Sequence, residues 1–364
     1  MAPLQSQPEV QDAKNQQEAV SPESQRRSLL MVVFVLCLLL VVETFAATCI
    51  GAVAIKPRTV ALALLHRSAE ITPMEQAIIF QIRLPRVMAA ALVGCALSIA
   101  GVLFQGLFRN PMADPYVIGT SGGAALGATL GVVLLPHLAL MGFGASALLA
   151  FCFSLLTMVA VYWLARVGGR TPIVTLLLAG LALGAMLGYS TTFVILVRPD
   201  SVLAVRLLTS WLHGAISNTE WSQITLVGAM VGLGTLLSLP LARSLNALCL
   251  GDEYAQQLGI RVEFLRASII IVGSLLTAAA VSLGGLIGFV GLVVPHLVRL
   301  LIGPDHFRLL PIAGLAGAIF LILADTLART VLSPSELPVG ILTAFIGGPV
   351  FLFLLRRSKR EYAL

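Results

Sequence analysis

Long apolar stretches separated by short polar ones dominate the chain from residue 28 onward. Ten of these stretches lie near the roughly 20 residues that a helix needs to cross a bilayer. Because only helices and closed barrels satisfy their own backbone groups in lipid, the pattern predicts an all-α polytopic membrane protein with about ten transmembrane helices. The predicted spans are 28–51, 83–107, 115–135, 141–165, 172–197, 219–242, 264–283, 285–302, 309–331 and 338–355.

Three segments fall outside these spans. Residues 1–27 are rich in Gln, Glu, Ser and Pro without an apolar period, which predicts a disordered tail. Residues 358–364 form a short polar tail after the membrane domain, which we place at 28–357. The segment 201–214 is amphipathic and too short to span, so we expect it to lie on a surface or dip in partway.

The first apolar run has two interpretations. Arg26 and Arg27 precede it, as basic residues precede the apolar part of a cleaved signal peptide. The run resumes past Glu43 and continues to Ile55, which favours a first membrane helix.

The distribution of basic residues predicts the orientation. Ten spans place both termini on one side, and that side then holds 15 of the 23 Lys and Arg residues. The positive-inside rule therefore makes the termini cytoplasmic. Arg83, Arg86 and Arg329 stand at the outer ends of spans, against this rule. They either reach towards lipid phosphates or form a basic outer face that receives an acidic partner.

The sequence carries none of the motifs for catalysis or nucleotide binding that we sought. It has no G-x-x-x-x-G-K-[ST], HExxH or GxSxG, and its five cysteines and five histidines have no metal-ligand spacing. We therefore expect no catalytic residue, no bound cofactor or metal, and no nucleic-acid partner.

An ion-coupled carrier would need ionisable groups inside the membrane. Only Glu43 and Asp325 are plausible, and Asp325 lies four residues before Arg329, where a simple ion pair explains it. Because these residues give little support for ion coupling, we expect the energy for transport to come from another chain.

The stretch GDEYAQQLG, residues 251–259, is a polar island in this apolar chain. Asp252 and Glu253 favour the start of a short helix, and Gly259 favours its end. Ala255 and Leu258 would give this helix an apolar side, and 245–251 would form a second short helix before it. Two short helices in succession suit docking into a groove on a partner protein, although a solvated loop is the simpler interpretation.

Several segments together resemble one family. ALCLGDEYAQQLGI, QIRLPRVMAAALVGCALSIAGVLFQGLFRNPMADP, GLIGFVGLVVPHLVRLLIGPDHFRLLP, LADTLART and ELPVGILTAFIGGPVFLFLL occur in this order. The set resembles the iron-chelate and cobalamin permeases (FecCD-type) of ABC importers. The resemblance implies a type II importer architecture, in which an inverted repeat relates spans two to five with spans seven to ten.

The resemblance also implies partners and roles. The family works as a homodimer with two cytoplasmic ATPase subunits, which hold ATP and Mg, and one extracytoplasmic binding protein. The binding protein would dock on Arg83, Arg86 and Arg329. The segment 175–193, together with 201–214, would line the pathway, although core packing against neighbouring helices would explain the residues of 175–193 equally well. The pathway residues would be Met186, Tyr189, Ser190 and Phe193. A coupling segment at 243–262 would contact the ATPase through Asp252, Glu253, Ala255, Gln256, Leu258 and Gly259.

The expected function is therefore the permease subunit of an ATP-driven importer in a bacterial or archaeal plasma membrane, not an enzyme. Its expected cargo is a bulky iron chelate (siderophore) or cobalamin, with haem as the alternative cargo. An ion-coupled secondary transporter that acts without an ATPase is the alternative from a different class.

Overall fold

A computed structural model describes residues 22–51, 53–65, 67, 70–197, 208–216, 219–333 and 335–361. Nearly all of the regular structure is helical. The α-helices are α1 (Pro22–Cys49), α2 (Pro57–Leu64), α3 (Pro73–Ala77), α4 (Leu84–Leu107), α5 (Thr120–Leu134), α6 (Ala145–Ala165), α7 (Ile173–Val197), α8 (Trp221–Leu250), α9 (Asp252–Gln257), α10 (Val262–Gly284), α11 (Val290–Ile302), α12 (His306–Thr330) and α13 (Val339–Glu361).

The remaining regular elements are short. A π-helical turn, Ile78–Arg83, joins α3 to α4, and a 3₁₀-helix, Pro115–Ile118, precedes α5. The strands β1 (Ala139–Leu140) and β2 (Phe143–Gly144) pair antiparallel in a hairpin between α5 and α6.

All ten predicted spans contain a helix, and the all-α prediction is confirmed. Within the described residues, eight helices are long and apolar enough to cross a membrane. The two shorter apolar ones are α5, with 15 residues, and α11, with 13. At 1.5 Å per residue they measure about 22 and 20 Å, less than a bilayer core of about 30 Å. From the second span on, each half of the chain has helices in the order long, short, long, long, which is in line with the predicted repeat.

Several predicted boundaries differ from the structure. α1 begins at Pro22, so residues 22–27, assigned to the tail, are helical. α13 continues to Glu361, so the predicted C-terminal tail is helical in its first half. Of the amphipathic segment 201–214, residues 208–212 are helical and 201–207 lie outside the described residues, as do residues 1–21 and 362–364.

The prediction of a separate short helix at 245–251 is wrong. α8 is a single helix of 30 residues that continues through Pro240 to Leu250. Leu245 and Leu248 are fully buried against the core. Packing of this last part of α8 therefore outweighs the helix-breaking tendency of Pro240.

The core is built around α4, which is buried along most of its length. It packs against α8, α10, α11 and α12. Glycines allow two of these contacts at backbone distance. A methyl group on Gly94 would overlap the carbonyl oxygen of Gly317 on α12, and one on Gly101 would overlap that of Gly291 on α11. These are the small-residue contacts by which membrane helices pack closely.

The glycine-rich stretch 119–131 also packs closely. A side chain on Gly122 would overlap the backbone of Gly184 on α7, and one on Gly123 would overlap Thr157 on α6. α5 is thereby held between α6 and α7.

Replacing Gly94 with alanine is expected to lower the free energy of unfolding by about 1–3 kcal/mol, because the added methyl group meets backbone atoms that cannot move aside. Thermal unfolding in detergent measures the change. Gly232→Ala on α8 is the matched control. Nothing lies within 4 Å of the added methyl group there, so it should be neutral or slightly stabilising. Equal behaviour of the two variants would show that the α4–α12 contact is not tight.

Candidate functional site

The predicted short helix at the polar island is present as α9, Asp252–Gln257. Glycines define both of its ends. Gly251 has φ +136° and Gly259 has φ +78°, both in the region that favours glycine. The N–H of Gly259 donates to the carbonyl of Gln256 at 2.9 Å, and that of Leu258 donates to Tyr254 at 3.1 Å. The chain can therefore turn sharply into and out of a six-residue helix.

Asp252 fixes α9 to the rest of the protein. Its carboxylate forms ion pairs with Arg109, which follows α4, and with Arg266 on α10. Arg266 also pairs with Glu263 at 2.8 Å and donates to the carbonyl of Thr171 at 3.2 Å. Asp252 therefore links α9 both to the following helix α10 and to Arg109, 143 residues away in sequence, which identifies it as an anchor of α9.

The apolar residues on the outward face of α9 differ from those predicted. Ala255 is fully buried and faces the protein, so it does not offer an apolar surface as expected. Leu258 is 66% exposed and Tyr254, which sequence reasoning missed, is 62% exposed. Glu253, Gln256, Gln257 and Gly259 are exposed as well. The outward face thus combines two large apolar side chains with a polar surround.

The turn RNPMADP, 109–115, lies beside α9 and is closed by its own side chains. Asn110 Oδ1 accepts from the N–H of Met112 at 2.9 Å, and Asp114 Oδ1 accepts from the N–H of Tyr116 at 2.8 Å. Burial raises the pKa of Asp114 to about 6, against the opposing effect of the hydrogen bond from Tyr116.

Gln105, near the end of α4, connects the proline-containing helix α11 to this region. Pro295 has no N–H, so the carbonyl of Gly291 lacks its helical partner. The Gln105 side-chain amide donates to the carbonyls of Gly291 and Leu292 at 3.4 and 3.0 Å. Its Oε1 accepts from Arg299 at 2.7 Å. Nothing in the sequence around Pro295 indicates this partner.

The three predicted docking arginines lie at the other end of α4, about 36 Å away along a 24-residue helix. We call this end the arginine end and the opposite one the α9 end. Arg83 is 5% exposed and donates to the carbonyls of Thr48 and Cys49, both at 2.9 Å, and to that of Val53. It therefore satisfies the last carbonyls of α1, which have no partner within their own helix.

Arg86 and Arg329 share a buried carboxylate. Asp325 lies 3.0 Å from each guanidinium, and its side chain is 1% exposed. The expected pair between Asp325 and Arg329 is confirmed. Arg86 also pairs at 2.7 Å with Glu336, whose side chain is 52% exposed. All three arginines are therefore engaged within the chain, and only Glu336 in this network is well exposed.

The four predicted pathway residues lie on α7 at spacings that place them on one helix face. Met186, Tyr189 and Phe193 are among the most exposed large side chains, at 57, 79 and 66%. Ser190 donates to the carbonyl of Met186 at 2.9 Å. The described part of the chain leaves these three large side chains mostly exposed, so the structure does not support core packing for them.

The chain is similar to known proteins over most of its length. The model of the FecCD transport family matches residues 36–357. The cobalamin import system permease protein of Halobacterium salinarum is 44% identical over 281 residues, 77% of this chain and 74% of its own length. The hemin transport system permease protein of Yersinia pestis is 43% identical over 284 residues, 77% of this chain and 83% of its own length.

Among solved structures, one described as an inward-facing conformation of a metal-chelate type ABC transporter is 31% identical to this chain. It has a TM-score of 0.77 and covers 90% of this chain and 99% of its own. The family match and the extent of these similarities lead to one conclusion: the chain belongs to the FecCD transport family.

Proposed function

We propose that the chain is the transmembrane subunit of an ATP-driven ABC importer and that α9 couples it to a separate ATPase. The observation that supports this most strongly is α9 itself. Asp252 anchors the helix to two arginines, while Tyr254 and Leu258 stand exposed beside it. Large exposed apolar side chains within a polar surface are typical of a contact with another protein.

Two copies of the chain would form the pathway and alternate between outward- and inward-facing states. The exposed face of α7 supports this proposal, because Met186, Tyr189 and Phe193 are more than half exposed in the described part of one chain, and Ser190 lies on the same face. Apolar and hydroxyl side chains bind a large cargo weakly, and weak binding allows release.

The proposed cargo is a bulky iron chelate or cobalamin, with haem as the alternative. The relatives' names include both cobalamin and hemin transport, so they support the class of large chelates without separating its members. No cofactor is assigned to this chain, and ATP and Mg would be held by the ATPase.

An extracytoplasmic binding protein would dock at the arginine end. An acidic residue of that protein would meet Arg86 only after Glu336 had released it, because Glu336 occupies the exposed side of this guanidinium at 2.7 Å. Glu336 would then compete with the binding protein for Arg86.

Glu336→Gln is accordingly expected to tighten the binding protein's affinity by about two- to fivefold, the range that an exposed ion pair of up to 1 kcal/mol allows. Surface plasmon resonance with the permease in nanodiscs measures this affinity. Glu70→Gln is the matched control, since the ion pairs of Glu70 with described residues are with the exposed Arg58 and Arg67. Unchanged or weaker binding of the Glu336 variant would refute the competition.

Cargo and energy source are tested together by uptake into cells that contain or lack the chain. Labelled ferric siderophore, cobalamin and haem are each supplied, with either ATP depleted or ion gradients collapsed. We expect uptake of one of the three to require the chain and ATP and to survive loss of the gradients. Uptake that needs the gradients and not ATP would favour the ion-coupled carrier. Glu43, whose Oε2 is buried and has no hydrogen-bond partner in the described part of the chain, would then be its candidate carboxylate.

A further inference from the structure

A cavity of about 790 Å³ opens at the α9 end, between the ends of α4, α8 and α11 and the start of α12. No role discussed above uses it. Its polar lining is mainly basic and comes from Arg109, Arg243, Asn246, Arg299, Asp305 and His306.

Positive charge in this cavity is not balanced by its own carboxylate. Asp305 already accepts from Asn246 at 2.7 Å and from the N–H of Phe307 at 3.2 Å, and it pairs with Arg308 at 3.4 Å. Arg243 lies over the ring of Phe307, with its guanidinium carbon 5.5 Å from the ring centre. Among the described residues, Arg243 has no carboxylate within ion-pair distance.

Arg299 also lacks a carboxylate partner among the described residues. Its guanidinium donates to the neutral Gln105 side chain at 2.7 Å and forms no ion pair with a described residue. Arg109 pairs with Asp252, so its charge is partly compensated. Two arginines therefore direct uncompensated charge to one cavity, where an anion would be attracted.

His306 is the second, independent indication of a ligand. It lines the cavity and is only 4% exposed. Its Nδ1 lies 2.6 Å from Asn246 Oδ1, an acceptor, so this nitrogen carries the proton. Its Nε2 is buried and has no hydrogen-bond partner among the described residues. Buried polar atoms are rarely left unsatisfied, so a group from outside the chain is expected there.

The rest of the lining is mostly apolar and includes Ala247, Leu250 and Pro304. The cavity lies at the ends of membrane helices. Guanidinium groups recognise phosphate oxygens in particular, and basic pockets between membrane helices bind lipid headgroups. We propose that this cavity binds a phosphate-bearing anion through Arg243 and Arg299, either the headgroup of an anionic phospholipid or free hydrogenphosphate. His306 Nε2, which carries no proton, would accept from a hydroxyl group of the bound molecule. The proposal concerns a separate site and does not depend on coupling to an ATPase.

The test compares binding to the delipidated full-length protein by native mass spectrometry, with phosphatidylglycerol, phosphatidylcholine and inorganic phosphate as probes. Arg243→Gln is the informative variant, because Arg243 is exposed and its replacement should not disturb folding. Arg170→Gln is the matched control. Arg170 is also exposed at the α9 end, next to Thr171, and does not line the cavity.

We expect one saturable phosphatidylglycerol or phosphate per chain, weakened about tenfold or more by Arg243→Gln, as for loss of one charged hydrogen bond. Arg170→Gln should change the affinity less than about twofold. Saturation by phosphatidylglycerol alone identifies the lipid as the source, and saturation by phosphate identifies the free anion. Equal effects of the two variants, or no saturable binding by either probe, would overturn the proposal.

Discussion

Replacing Asp325 with asparagine is expected to lower the free energy of unfolding by about 3–5 kcal/mol, the cost of breaking a buried ion pair from one side. Asp325 is the carboxylate that Arg86 and Arg329 share, and all three side chains are at most 12% exposed. The variant would leave two buried guanidinium groups 3.0 Å from a neutral amide. Thermal unfolding of the purified protein in detergent measures the loss.

Glu336→Gln is the matched control for this prediction, because it removes a carboxylate from the same network. Glu336 is half exposed, so water can replace it, and the expected loss is at most about 1 kcal/mol. A variant Asp325→Asn as stable as Glu336→Gln would contradict the account of a buried ionic network at the arginine end.

Leu258→Glu is expected to reduce ATP-driven uptake about tenfold or more and to leave the protein folded. The side chain is 66% exposed, so its replacement should alter the free energy of unfolding by less than about 0.5 kcal/mol. In a contact with the ATPase, the carboxylate of the variant would be buried without a partner, and burying an unpaired charge is strongly unfavourable. Uptake of the identified cargo is measured alongside thermal unfolding.

Val167→Glu is the control for this variant. Val167 is 62% exposed in the turn between α6 and α7, near the same end, and lies outside α9. Normal uptake with Leu258→Glu, or an equal loss with Val167→Glu, would count against α9 as the coupling element.

The sequence predicted those features that depend on neighbouring residues. Acidic residues after Gly251 and the glycine at 259 were sufficient for α9, and a spacing of four was sufficient for the pair between Asp325 and Arg329. The burial of Ala255 was not predictable, because six residues do not determine which face of a helix meets the protein. The continuation of α8 past Pro240 was missed because it depends on the packing of Leu245 and Leu248.

Contacts between distant segments were beyond the sequence. Arg86 meets Asp325 and Glu336 across 239 and 250 residues, and no periodicity indicates such partners. Gln105 likewise contacts Gly291 across 186 residues. The three arginines were identified as exceptions to the charge rule, but their burial and internal partners became apparent only in the folded chain.

The most direct test of the account is to tag the C-terminus, solubilise native membranes gently and determine which proteins are isolated with the chain, and in what ratio. The account predicts an ATPase subunit in stoichiometric amount, reduced when Leu258 is replaced with glutamate and unchanged when Val167 is. A folded chain that repeatedly comes out alone, with transport that survives ATP depletion, would contradict the account and direct attention to Glu43 and Asp325.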